Sequence, residues 1–91
     1  MSNPYHEAQV AYLRRIDAVL LALKDQLSPA EVAEVRHLID HGEPAEGMCA
    51  LAWIIHDGQK AVSPELKQVI RDLVSGLVDD EYMPESFRAP S

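Results

Sequence analysis

Ser28-Pro29-Ala30-Glu31-Val32-Ala33-Glu34-Val35-Arg36-His37-Leu38-Ile39-Asp40-His41-Gly42 is the stretch on which the fold turns. It opens with a capping box. The Ser28 hydroxyl is placed to accept from the Glu31 amide, and the Glu31 carboxylate to reach back to the Ser28 amide. Pro29 stands at the first helical position, where its missing N–H costs nothing. Val32, Val35, Leu38 and Ile39 recur at helical spacing and make one apolar face. Gly42 closes the segment, because glycine takes the left-handed conformation that a helix end favours. The pattern predicts an amphipathic helix over 29–41 with its own start and stop signals.

The same signals repeat on both sides. Asn3-Pro4 opens a helix expected over 4–27, with Tyr5, Tyr12, Leu13, Ile16, Val19, Leu20, Leu23 and Leu27 within one face. Gly42-Glu43-Pro44 is a tight turn into a helix over 44–57, with Ala45, Met48, Cys49, Leu51, Ala52 and Ile55 inward. Ser63-Pro64-Glu65 starts a helix over 64–77 with the stripe Leu66, Val69, Ile70, Leu73 and Leu77. The tail, 79–91, carries Pro84 and Pro90 and cannot continue a long helix. Its Tyr82, Met83 and Phe87 are the residues that can dock it. No segment alternates with the period of two that a strand needs. The expected fold is all-α: one domain over 1–91, a small four-helix antiparallel bundle with a short C-terminal tail.

Charge narrows the function. Fifteen acids oppose eight bases, a net −7 with histidines neutral. That balance disfavours nucleic acid and anionic membrane surfaces, both of which are held by Lys and Arg. It suits a basic partner. One cysteine, Cys49, permits neither an internal disulfide nor a cysteine-rich zinc site. The first residues lack the basic-then-apolar pattern of a secretory signal, and the longest apolar run, 48–55, is far short of a membrane helix. The expected location is cytoplasmic.

Residue types that carry chemistry are present but poorly grouped. His37 and His41 are four apart, and Glu34 with His37 has the E-x-x-H spacing of di-iron bundles. A second such pair is missing, and all three residues flank the apolar stripe. His56 and Cys49 fall on the inner side of their helix, where a hydrogen-bonded core histidine and a small apolar thiol are the simplest readings. The four glycines are isolated, so no phosphate-binding loop exists. No catalytic residue, metal or cofactor is expected, and the protein is not read as an enzyme.

The segment between Arg36 and Lys60 stands apart. It holds Asp40, Glu43, Glu46 and Asp57 and no basic residue. On the wheel of the 44–57 helix, Glu46, Ala50, Trp53 and Asp57 form a stripe at about a right angle to the core face, with Ile54 nearly opposite the core. An aromatic anchor with an acidic rim is the anatomy of an interface with a basic protein. Asp40, Glu43, Glu46, Trp53, Ile54 and Asp57 are therefore the expected partner-binding residues. A homodimer through Trp53, Ile54 and the first helix is the competing expectation, that of a small self-associating regulatory or structural subunit.

Val35-Arg36-His37-Leu38-Ile39-Asp40-His41-Gly42-Glu43, the Ala/Leu-rich helix after it and Val62-Ser63-Pro64-Glu65-Leu66 together resemble small helical immunity proteins of bacterial polymorphic toxin systems. The similarity is to the MafI-type and contact-dependent-inhibition groups, over about half the chain. It implies a role, the neutralisation of a cognate toxin, often a nuclease, inside the producing cell. It carries over no functional residue.

Overall fold

A computed structural model describes residues 3–88. Four helices follow one another: α1 (Pro4–Ala22), α2 (Pro29–Asp40), α3 (Pro44–Asp57) and α4 (Pro64–Val74). Two 3-10 turns, Asp80–Tyr82 and Glu85–Phe87, complete the described chain, which contains no strand. The all-α expectation holds. Pro90 and the ends of the predicted domain lie outside the described residues.

The proline-led starts work as the sequence implies. Asn3 Oδ1 accepts from the Tyr5 amide at 2.9 Å, Ser28 Oγ from Glu31 at 3.1 Å and Ser63 Oγ from Leu66 at 3.1 Å. The Glu31 carboxylate closes the capping box on the Ser28 amide at 2.9 Å. That bond, and then Lys60, hold the Glu31 carboxyl below its ordinary range. Replacing Ser28 by alanine is expected to lower stability by about 1 kcal/mol, and by glycine only a few tenths. For a domain of this size the alanine variant melts roughly 4–8 °C lower. Thermal denaturation followed by circular dichroism checks both. Equal melting points for the two variants would exclude the cap as the cause.

Two helices end earlier than their apolar stripes suggest. α1 stops at Ala22, not Leu27. The Leu23 amide is shared between the Val19 and Leu20 carbonyls, and Lys24 and Gln26 bond three residues back. This tightened turn still buries Leu23 and Leu27. It delivers the chain to Ser28, which is extended, as a residue before proline prefers. α4 stops at Val74. Ser75 (φ −58°, ψ 127°) and Gly76 (φ +77°) make a type II turn, closed by the Leu77 amide on the Val74 carbonyl at 2.9 Å. Such a turn needs a positive φ at its third position, which glycine supplies. Leu77 is thereby turned outward and is 65% exposed.

α3 is the centre of the molecule. Its Met48, Leu51, Ala52 and Ile55 are buried, and it packs on each of the other three helices. Contact with α2 is closest at Gly47. A Cβ there would lie 3.1 Å from Ile39 Cγ1 and 3.2 Å from the Val35 carbonyl oxygen. α1 leans on α4, where the Tyr12 hydroxyl donates to the Leu73 carbonyl. Burial pushes that phenol's pKa up, against the opposing charge of Arg15. The first turns of α1 project from the core. Tyr5, expected inward, is 85% exposed because no other element extends alongside it.

The tail docks. Met83, Pro84 and Phe87 are fully or almost fully buried. Cys49 and Trp53 of α3 both meet Tyr82, and His56 meets Ser86, so the tail runs parallel to α3. Lys67 of α4 stands over the Phe87 ring. The chain has thus turned back at Gly76 and filled the groove between α3 and α4.

Candidate partner-binding surface

Trp53 projects from α3 with 40% of its surface exposed. Its ring is not free to swing. The indole Nε1–H donates to the Tyr82 carbonyl at 2.7 Å, and His56 packs edge-on with centroids 5.8 Å apart. The tail therefore holds the indole by its polar end and leaves the rest toward solvent. Tyr82 itself is 60% exposed beside it.

The other predicted residues fall into four groups. Glu46 lies on the tail side of α3. Together with Cys49, Leu77, Val78, Asp79 and Tyr82 it lines a cleft of about 450 Å³. Leu77, Val78 and Cys49 give that cleft apolar surface, and Glu46 and Asp79 give it carboxylates. Asp40 and Glu43 are exposed at the α2–α3 turn, and Asp57 is exposed at the far end of α3. Eleven residues of helix separate Glu46 from Asp57, about 16 Å along the axis. The acids accordingly flank Trp53 along α3 and do not ring it. Ile54 corrects the wheel: it is half-buried and packs against the core instead of joining the exposed patch.

Leu77, Asp79 and Tyr82 are the site residues that the sequence did not disclose. Asp79-Asp80-Glu81 reads as a solvated run in a tail. The signal that places it beside Glu46 is the Ser75-Gly76 pair, which reverses the chain. Among the described residues, two ion pairs occur: Arg36–Asp17 at 2.6 Å and Lys60–Glu31 at 3.2 Å. None of the acids of the cleft or of α3 is in either.

The groups that suggest chemistry are otherwise engaged. Cys49 is half-buried, with Sγ 3.6 Å from the Tyr82 carbonyl. Burial first, and then the charge of Glu46, push its pKa up, so the thiol stays protonated and weakly nucleophilic. His37 and His41 are exposed, with ring centroids 4.1 Å apart, and His41 Nδ1 sits 2.8 Å from the His37 carbonyl oxygen. Among the described residues no three His, Cys, Asp or Glu side chains are grouped to hold a metal ion. His56, expected inward, is exposed, because the tail crosses α3 there and offers Ser86 Oγ at 3.1 Å. Among the described residues no carboxylate orients that histidine. No described helix is long and apolar enough to cross a membrane.

No family model matches this chain, and neither a curated protein nor a solved structure does.

Proposed function

We propose that the protein is a protein-binding module, and that it receives a basic partner on the face built by α3 and the tail. The observation that carries this reading is Trp53, held by the Tyr82 carbonyl with its ring half out of the surface beside a cleft that carries apolar surface and two carboxylates. A pre-positioned aromatic loses little freedom on binding, and so contributes strongly to affinity. The exposed acids along α3 and the tail steer a basic partner toward it. Within that class the best-supported role is immunity: neutralising a cognate bacterial toxin domain, often a nuclease, inside the producing cell. This finer role rests on the resemblance in sequence and on the net charge of −7.

The test is the rate of association with any basic toxin domain found encoded beside this chain. Reversing Glu46 and Asp79 together to lysine is expected to lower the association rate constant about ten-fold at low salt and to flatten its salt dependence. An unchanged rate and an unchanged salt slope would remove this surface from the interaction.

A second reading, self-association, has an observation of its own. Tyr5 and Leu21 leave apolar surface exposed on α1, in addition to that of Trp53. Acids at the rim of a two-fold contact would face one another and oppose it. Light scattering at high concentration separates the readings. A mass near the 10.1 kDa of one chain leaves the face free for a partner, and twice that mass assigns it to a second copy.

A further inference from the structure

We infer that the end of the α3–α4 groove opposite the acidic cleft binds the phosphoryl group of a phosphomonoester or free phosphate, between Lys67, Arg71, Arg88 and Ser86. This inference stands apart from the proposed function and uses other residues.

The chain has only eight lysines and arginines. Three of them, Lys67, Arg71 and Arg88, line one cleft of about 140 Å³ together with Gln68 and Ser86. They belong to two separate segments, α4 and the tail, so folding brings them together. Lys67 and Arg71 are one helical turn apart, a spacing at which like charges repel. Lys67 also stands in the first turn of α4, at the positive end of the helix dipole, where a cation is disfavoured. The tail then adds a third positive charge.

Among the described residues none of the three is in an ion pair, although Arg71 also lines a neighbouring cleft with Asp72, Asp79 and Asp80. The contacts of Arg88 and Lys67 hold those two in place and leave their charge intact. Arg88 Nε donates to the Met83 carbonyl at 3.0 Å and its Nη2 to the Glu81 carbonyl at 3.2 Å. Lys67 Nζ lies 5.6 Å above the Phe87 ring. Asp72, next to Arg71, has Oδ1 occupied by Gln68 Nε2 at 2.7 Å. Lys60, in the adjoining cleft with His56, is taken by Glu31 and by the Gln26 carbonyl. The result is a cluster of three cations, none in an ion pair among the described residues, in a protein that is otherwise strongly acidic. An oxyanion in the cleft converts the mutual repulsion into attraction.

The donor set selects the ligand. The Arg71 guanidinium fork matches phosphate oxygens pairwise, and the remaining Nη protons of Arg88, the Lys67 ammonium and the Ser86 hydroxyl add donors beyond what the two oxygens of a carboxylate need. The cleft, about 140 Å³ and open to solvent, is large enough to admit one tetrahedral group.

An NMR titration tests this on the whole chain at constant ionic strength. Inorganic phosphate is one ligand, and a short neutral peptide carrying one phosphoserine is the other. Sodium chloride and the unphosphorylated peptide are the controls. The expected result is saturable shifts of the amides of 64–71 and 85–88 and of the Arg71 and Arg88 Nε–H signals. Arg71→Gln and Lys67→Gln, each confirmed as folded by circular dichroism, should each raise Kd about ten-fold, as losing one charge-assisted contact does. Tighter binding of the phosphopeptide than of inorganic phosphate identifies a phosphorylated side chain as the source, and equal binding identifies free phosphate. Shifts that stay linear and match the chloride control, or a Kd unmoved in both variants, overturn the inference.

Discussion

Replacing Phe87 with alanine is expected to lower the free energy of unfolding by about 3–5 kcal/mol, the usual cost of deleting a buried aromatic ring. A domain of this length has a total stability on the order of 5–15 kcal/mol, so one residue of an apparent tail carries a large share of it. The reason is position. Phe87 is almost fully buried and closes the groove between α3 and α4 at the end remote from Gly76, with Met83 and Pro84 filling the middle. Without the ring, the segment from 82 to 88 loses its last anchor, and the bonds from Trp53 and His56 to it lose their fixed partners. Urea denaturation followed at once by circular dichroism and by Trp53 fluorescence measures this. The tail should detach before the helices melt, so the fluorescence change leads. A midpoint within error of the parent would mean that the bundle is complete at Val74 and that the tail is an accessory.

That prediction marks the border between what the sequence discloses and what only folding supplies. The capping box at Ser28 and the serine cap at Ser63 are local devices whose partners lie within a few residues. They are readable without knowing anything about the rest of the chain. The buried faces of α2 and α3 are readable for the same reason, since helical spacing fixes which residues point together. Leu77 and Ile54 are the counter-examples. Each was assigned from a wheel that assumes an unbroken helix or an isolated one. Leu77 leaves the stripe because Gly76 ends the helix first, and Ile54 is covered because α3 is the central helix with neighbours on most sides.

The candidate surface divides along the same line. Trp53 and Glu46 were visible as an aromatic and an acid on one stripe. Their partners Asp79 and Tyr82, some thirty residues later, were not, because a reversal of the chain brings them there. The same reversal creates a polar gradient along one groove. Asp79 arrives beside Glu46, while Ser86 and Arg88 arrive beside Lys67 and Arg71. A charge run and a lone arginine in a tail thus become two ends of one folded feature.

Trp53→Ala is expected to weaken binding to the proposed basic partner by about 2 kcal/mol or more, roughly thirty-fold in Kd. The argument begins with the free protein. The indole is already fixed by its N–H to the Tyr82 carbonyl, so binding adds contact to the ring without first having to order it. Loss of such an anchor appears mainly in the dissociation rate, because encounter is governed by charge. Trp53→Phe should fall between parent and alanine, since it keeps an aromatic ring but cannot donate to Tyr82. Because the side chain is 40% exposed, the alanine variant should remain folded, which thermal denaturation confirms before binding is measured. The kinetic division is the sharpest part of the expectation. Trp53→Ala speeds dissociation and spares association, whereas reversing Glu46 and Asp79 slows association and spares dissociation. If both variants altered the same rate constant, steering and anchoring would not be separate on this face. An affinity within two-fold of the parent for Trp53→Ala would place the anchor of the complex elsewhere.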